Sequence, residues 1–225
     1  VNEIFTSVSN KYDVMNDLMS FGLHRNWKKQ FIRVCNIPAA KKVLDIACGT
    51  GDIAYQIRGM NPSVQLTCLD PNKEMIEICK QKLINKGITN VMFHIKSIED
   101  FDPKNEKYDL ITLSFGLRNF TNHTKALKKV YDMLTPGGKF VVLDFKKPRN
   151  KVYSKIFKIY TLNLIPKLGK IVANDEDSYR YLGESIQTYY SPEEIKEMFE
   201  KVGFIQTKKI NLPEDVATIH IGYRS

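Results

Sequence analysis

Two glycines and two acids, set at the ends of apolar runs, carry the first chemical signal in this chain of 225 residues. The segment Val43-Leu44-Asp45-Ile46-Ala47-Cys48-Gly49-Thr50-Gly51-Asp52 reads as a strand running into a glycine turn. Glycines at such a point let the backbone take positive φ and approach a ligand closely. Nineteen residues beyond Gly51 a second apolar run ends in Asp70. A carboxylate there can accept both hydroxyls of a ribose.

Three readings of the turn compete. A ligand-free β-to-α turn does not account for Gly49, Gly51 and Asp70 occurring together at this spacing. A dinucleotide site is the second, since Gly49-Thr50-Gly51-Asp52-Ile53-Ala54 matches G-x-G-x-x-A, a weak signal by itself. The third is S-adenosylmethionine. Its site has to hold a ribose and an amino-acid moiety, so Asp45 before the turn can orient the loop and the ammonium side of the ligand. A pyrophosphate gains nothing from a nearby carboxylate. The third reading is favoured.

The elements that must position these residues are legible in the hydrophobic pattern. Candidate strands are Val43–Cys48, Val64–Asp70, Val91–Ser97, Tyr108–Phe115 and Lys139–Phe145, each β-branched or continuously apolar, as a strand buried on both faces should be. Between them, Asn72–Lys86 places Met75, Ile76, Cys79 and Leu83 on one helical stripe. Asn122–Leu134 does the same with Leu127, Val130, Tyr131 and Leu134, and stops at the turn signal Thr135-Pro136-Gly137-Gly138. Alternation of strand and helix means right-handed crossovers and a mostly parallel sheet with helices on both faces. A later helix near Ser191–Lys201 has Ser191 as N-cap, Pro192 at its first position and Glu194 in the capping-box position. Two last strands, Ile205–Leu212 and Val216–Tyr223, flank Pro213-Glu214-Asp215 and read as a closing antiparallel hairpin. The whole reads as one domain over 1–225: an N-terminal helical extension (1–40), a cofactor-binding core (41–145), a basic and aromatic lid insertion (146–190), and a C-terminal helix with closing strands (191–225).

Composition is that of a globular protein, 43% hydrophobic and 26% charged, with no run approaching the roughly 18 apolar residues of a membrane-spanning helix. Val1 to Asn10 shows no signal-peptide pattern. The cysteines, Cys35, Cys48, Cys68 and Cys79, form no CxxC pair and no metal-ligand spacing. The expectation is reduced, buried thiols and no metal. The net charge of +9 is local: eight Lys and Arg and no acid lie between Lys146 and Lys170, leaving 26 basic and 25 acidic residues elsewhere.

Asp70-Pro71-Asn72-Lys73-Glu74-Met75 resembles the class I methyltransferase pattern of an acid leading into a helix, and Tyr108-Asp109 and Leu134-Thr135-Pro136-Gly137-Gly138 look like the same superfamily. Four stretches narrow the resemblance: Tyr12-Asp13-Val14-Met15-Asn16-Asp17 running into Ser20-Phe21-Gly22-Leu23-His24-Arg25-Asn26-Trp27-Lys28; Ser114-Phe115-Gly116-Leu117-Arg118-Asn119; Asn174-Asp175-Glu176-Asp177-Ser178-Tyr179-Arg180-Tyr181-Leu182; and Glu184-Ser185-Ile186. Together they are similar to the ubiquinone/menaquinone biosynthesis C-methyltransferases, particularly bacterial members serving both quinones, over about residues 4–223. The resemblance implies a Rossmann-like class I methyltransferase fold, α/β, with a mostly parallel seven-stranded sheet. It also implies S-adenosylmethionine as cofactor and methyl transfer to a ring carbon of a polyprenyl benzoquinol or demethylmenaquinol. The family's cofactor positions fall on Thr50, Asp70, Ser97 with Ile98, and Ser114, beside the Asp45, Gly49 and Gly51 read from the loop. Departures are Ala47 in place of the first loop glycine, Cys48 where many relatives have glycine, and Ser97 where Asn or Asp is usual.

Ring methylation needs an electron-rich carbon held about 3–3.5 Å from the methyl group, and help with protons. Arg118 and Asn119, just after the fourth strand, are the candidates: Arg118 to stabilise a phenolate or pass a proton through water, a reading favoured over a surface or structural ion pair, and Asn119 and Tyr12 to hydrogen-bond the ring oxygens. His24 is a weaker candidate, read as packed or capping; Tyr179 and Tyr181 either line a quinol pocket or fill core. In the basic segment 146–170, lysines interleave with apolar residues, the composition of a helix lying on an anionic membrane or of a lid with solvated lysines. Nucleic-acid binding is not expected, for want of a recognised motif. The expected setting is soluble and cytoplasmic, peripheral on the inner membrane face (mitochondrial matrix in a eukaryote), as a homodimer or within a quinone-synthesising complex. Competing activities are methylation of another small aromatic or lipid and, from a different class, nicotinamide-dependent oxidoreduction.

Overall fold

The computed structural model of the chain describes residues 12–225, with side chains from Val14 onward; the Tyr12 side chain, a sequence candidate, lies outside the described residues. Helices α1 (Tyr12–Ser20) and α2 (Leu23–Cys35) lead into β1 (Lys42–Ile46), α3 (Asp52–Met60), β2 (Gln65–Asp70), α4 (Lys73–Asn85), β3 (Val91–Ile95) and β4 (Tyr108–Ser114). Then come α5 (His123–Met133), β5 (Leu134–Phe145), α6 (Lys151–Ile159), α7 (Ile165–Ala173), α8 (Glu176–Thr188), α9 (Pro192–Val202), β6 (Ile205–Asn211) and β7 (Ala217–Tyr223).

The strands form one seven-stranded sheet in the order β3-β2-β1-β4-β5-β7-β6. β1 to β5 pair in parallel, whereas β7 is antiparallel to both β5 and β6. The period-two alternation of a strand sorts its side chains to two faces. Val43 and Cys68 pack with Phe31 of α2, Ile57 of α3 and Leu83 of α4. Leu44 and Ile46 pack on the other face with Leu127 of α5 and Phe199 of α9. Leu44 is fully buried, and its truncation to alanine costs about 2–5 kcal/mol. The chain steps from β1 outward to β2 and β3, then returns to lay β4 on the other side of β1. That reversal opens a crevice at the carboxyl ends of β1 and β4, where ligands bind in open α/β sheets.

Helix starts follow the capping chemistry. Asn72 accepts from the Met75 N–H and Asn122 from the Lys125 N–H. Ser191 and Glu194 form the reciprocal capping box, with Pro192 in the first turn. Two expectations about the sheet need correction. β3 is a sheet edge with most of its residues half-buried or exposed, not a strand covered on both faces. Thr135–Gly138 does follow the end of α5, but it enters β5 instead of forming a free turn, with a register irregularity opposite Tyr108–Leu110. Gly137 takes φ +73 there, and its N–H bonds to the Arg224 carbonyl, so the backbone need of the turn is met inside the sheet.

The basic segment becomes α6, a π-helical turn (Tyr160–Leu164) and α7. It meets the N-terminal helices: Met15 clusters with Ile165 and Tyr179, and the Tyr160 hydroxyl donates to the Met19 carbonyl at 2.8 Å. Lys146 is not a solvated lysine; it is buried and ion-paired with Asp215 in the β6–β7 loop, which Arg149 also engages. The same loop receives the Trp27 indole N–H on Glu214 Oε2 at 2.8 Å, tying α2 to the hairpin.

Candidate active site

The glycine turn is held from below by Asp70. Its Oδ2 accepts the Gly49 N–H and its Oδ1 the Asn72 N–H, both at 2.9 Å. Burial raises the Asp70 carboxyl to about 6, against the lowering effect of those N–H bonds from Asn72 and Gly49. Gly49 has φ +53, and a Cβ built on it meets nothing within 4 Å, so its bare backbone faces open crevice. Ala47 also sits in the left-handed region, at φ +51, a conformation that costs a non-glycine residue of order 1 kcal/mol or more. Its methyl lies against Gly116, where an added Cβ would stand 2.7 Å away.

The crevice has a volume of about 240 Å³. Gly49, Asp70, Ser97, Ile98 and Ser114 line it as the sequence led us to expect, and Asn119 joins them. Asp45, Thr50 and Gly51 do not line it. Asp45 is buried in the sheet, with Oδ1 accepting from the Thr112 hydroxyl at 2.7 Å; among the described residues its Oδ2 has no hydrogen-bond partner. Burial raises its carboxyl to about 8, partly offset by the Thr112 hydrogen bond. Thr50 is buried within 3.4 Å of Lys82 Nζ. The Ser97 hydroxyl is engaged locally, donating to Asp100 Oδ2 at 2.8 Å.

The donor set fits a nucleoside better than a pyrophosphate. Asp70 at the end of β2 offers acceptors for ribose hydroxyls, Gly49 bares its backbone to the space, and Leu69, Met75, Ile98 and Phe120 give apolar walls. A pyrophosphate would seek the N-terminus of α3, but Asp52 stands there, paired with Lys28 at 2.6 Å and Lys82 at 2.8 Å. Those lysines overcome burial and hold Asp52 well below the usual carboxylate range.

A second cavity of about 300 Å³, mostly apolar, lies against the first. Phe115 lines both. Trp27, Phe145 and Arg118 form part of its wall, with Tyr160, Tyr179 and Tyr181 from the lid helices. The Tyr181 hydroxyl donates to Asn119 Oδ1 at 3.3 Å, linking the two cavities. Arg118 is both a lining residue and a buried ion-pair partner: Nη1 donates to Asp144 Oδ1 at 2.8 Å and to the Phe115 carbonyl at 2.5 Å. Its guanidinium sits 5.4 Å from the Phe145 ring centroid. Among the described residues its Nε has no hydrogen-bond partner. His24 is buried, with Nδ1 2.8 Å from the Ser20 hydroxyl, and burial lowers its pKa. Sequence reasoning missed Asp144. The signal existed, since Val142-Leu143-Asp144 ends an apolar strand in an acid just as Leu69-Asp70 does.

A family model described as the ubiE/COQ5 methyltransferase family matches residues 1–224. The chain belongs to the ubiE/COQ5 methyltransferase family. Among similar proteins are those named ubiquinone/menaquinone biosynthesis C-methyltransferase UbiE from Marinomonas sp. (strain MWYL1), 42% identical over 226 aligned residues that cover 100% of this chain and 90% of that protein, and from Francisella philomiragia, 43% identical over 225 residues covering 98% and 89%. Among solved structures, an O-methyltransferase family protein from Burkholderia thailandensis matches with TM-score 0.69 at 16% identity, over 95% of this chain and 59% of that one. Human N-acetylserotonin methyltransferase, solved in complex with SAM, matches with TM-score 0.63 at 16% identity, over 99% and 59%. These likenesses bear on the fold, and this chain spans little more than half the length of those two solved chains. As a ubiE/COQ5 family member with the class I methyltransferase fold, the chain is an S-adenosylmethionine-dependent methyltransferase.

Proposed function

We propose that this ubiE/COQ5 family enzyme methylates a ring carbon of a polyprenyl benzoquinol or demethylmenaquinol. The observation that carries the reading is the adjacency of the two cavities. A polar nucleoside crevice and an apolar chamber share Phe115 and meet at Asn119 and Tyr181. An aromatic ring in the apolar chamber then lies beside the methyl donor's site.

When bound, S-adenosylmethionine supplies an electrophilic methyl group. The chain's residues supply position and charge. Asp70 holds the loop and offers its remaining lone pairs to a ribose. Ser114 and Asn119 line the crevice beside the shared Phe115, and Asn119 together with Tyr181 can hydrogen-bond a ring oxygen. Arg118 stabilises negative charge on an ionised ring oxygen with its guanidinium cation. Being no base, it moves protons only through water. The aromatic lining excludes bulk solvent and strengthens that electrostatic contact. Asp45, beneath the loop, acts by supporting β1 and the turn.

The route by which a prenylated substrate arrives is supported by the lid. Among the described residues no helix is long and apolar enough to cross a membrane. Yet α6 buries none of its residues and exposes Val152, Ile156 and Ile159 along one side. Phe21 and Ile171 are also exposed. Lysines 151, 155 and 158 lie on the same helix. An apolar stripe flanked by lysines suits the surface of an anionic bilayer, and Tyr153, Ile156 and Phe157 of α6 line the chamber as well.

Incubation with a labelled methyl donor and each quinol, followed by mass spectrometry of the ring, tests the reading. One labelled methyl on a ring carbon is expected. Label confined to oxygen, or absent with both quinols while the donor still binds, would refute it.

A further inference from the structure

Three of the four cysteines, unremarkable in sequence spacing, converge in space. Cys48 leaves the end of β1 into the glycine turn, Cys68 lies on β2 two residues before Asp70, and Cys79 lies on α4. Their Sγ atoms all lie within 4.8 Å of one another, and all three are buried free thiols. Cys35, on α2, is also buried and free but stands apart from the group. The linear spacing of the cysteines, which shows no ligand pattern, is blind to this meeting of a turn, a strand and a helix.

We propose that Cys48, Cys68 and Cys79 form a three-thiolate site for a soft cation, Cu(I), beneath the cofactor loop. Three sulfurs around one ion at about 2.3 Å stand about 4.0 Å apart in a trigonal plane, so only a small contraction of the cluster is needed. Thiolates select soft ions, chiefly Cu(I), Zn(II) and iron–sulfur clusters. Structural zinc almost always takes four protein ligands. Among the described residues no fourth Cys, His, Asp or Glu joins this group. Three-coordination by sulfur suits Cu(I).

On binding, the protons of the three thiols pass to solvent and three sulfur–metal bonds form, with no change of oxidation state. The ion would join the three elements that frame the crevice. Cys79 Sγ already presses on the turn, 2.5 Å from where a Cβ on Gly51 would be.

Anaerobic titration of the reduced full chain with Cu(I), in competition with a chromogenic Cu(I) chelator, tests this. One equivalent should be taken from the chelator, with near-ultraviolet thiolate-to-copper absorption and a raised melting temperature. Cys35→Ala should behave as the parent. Cys48→Ala, Cys68→Ala and Cys79→Ala should each lose at least about 100-fold in affinity, a loss no smaller than that from removing an outer-shell partner. Circular dichroism on each variant identifies those that keep the fold, and any one folded variant suffices. The proposal is overturned if the parent takes no copper from the chelator, if a folded Cys48, Cys68 or Cys79 variant retains parental affinity, or if Zn(II) displaces Cu(I) at equal free concentration.

Discussion

Arg118 Nη1 donates to Asp144 Oδ1 at 2.8 Å while Asp144 Oδ2 takes the Arg118 backbone N–H at 3.3 Å, so one buried acid fixes both ends of the residue proposed to face the reacting ring. The Arg118 side chain is 4% exposed and that of Asp144 is 0% exposed. Removing one partner of such a pair leaves a buried charge alone and costs about 3–5 kcal/mol. Asp144→Asn and Arg118→Ala should each show that loss in urea unfolding. The double substitution Arg118→Met with Asp144→Leu should recover much of the stability but none of the turnover. Near-parental turnover in the double variant would remove Arg118 from the chemistry.

Asp70→Asn keeps the side chain's size and removes its charge. A hydrogen bond to a charged acceptor contributes about 1.5–3 kcal/mol, so S-adenosylhomocysteine affinity should fall about 10- to 100-fold. Calorimetric titration reads this directly. Unchanged affinity would mean that Asp70 serves the loop alone.

Gly51 has φ +84, and an added Cβ would stand 2.5 Å from Cys79 Sγ and 3.3 Å from Cys79 Cβ. Gly51→Ala combines a left-handed alanine with an overlap, for a cost of about 2–3 kcal/mol. Adding Cys79→Ala removes the sulfur and should return part of that loss. Chemical denaturation of the single and double variants separates the steric share from the conformational one, and equal stabilities would contradict the overlap.

Burial places the Asp45 carboxyl at about 8, above its ordinary 3.8. The folded state therefore holds this proton more tightly than the unfolded state does. The stabilisation is complete below about pH 4 and is lost as pH rises through about 8. Asp45→Asn mimics the protonated acid, so its melting temperature should fall less than the parent's between pH 5 and pH 8. Parallel pH dependences would show that Asp45 does not titrate in that window.

The exposed stripe of α6 gives a prediction that leaves the crevice untouched. Val152→Ser with Ile159→Ser should reduce pelleting with anionic vesicles at low salt, leaving S-adenosylhomocysteine affinity unchanged. High salt should weaken the parent's binding, as expected for lysines on an anionic surface. No parental pelleting at low salt would end the membrane reading.

The sheet was legible because its strands are short apolar runs bounded by turn residues; Gly49 and Asp70, which line the crevice, were read from strand ends, whereas Ser114 came from the family resemblance. What stayed hidden is contact across the fold. Nothing in the spacing of residues 48, 68 and 79 brings three thiols together. Asp144 differs from Asp70 only in what it faces: a guanidinium on the next element instead of a crevice. Asp45 looked like a ligand residue because it precedes the turn, but strand alternation turns it into the sheet toward Thr112. The lid's helices were visible in composition, whereas their meeting with Met15 and Met19 depends on long-range packing.

The Ala47 methyl takes the volume that a side chain at position 116 would need, so these two sites cannot drift independently. An alanine at 116 becomes admissible only once 47 has become glycine and Leu113 has turned aside. In this chain the order of substitution is thereby set, with the turn changing before the strand end, and a library that randomises 116 alone will recover glycine.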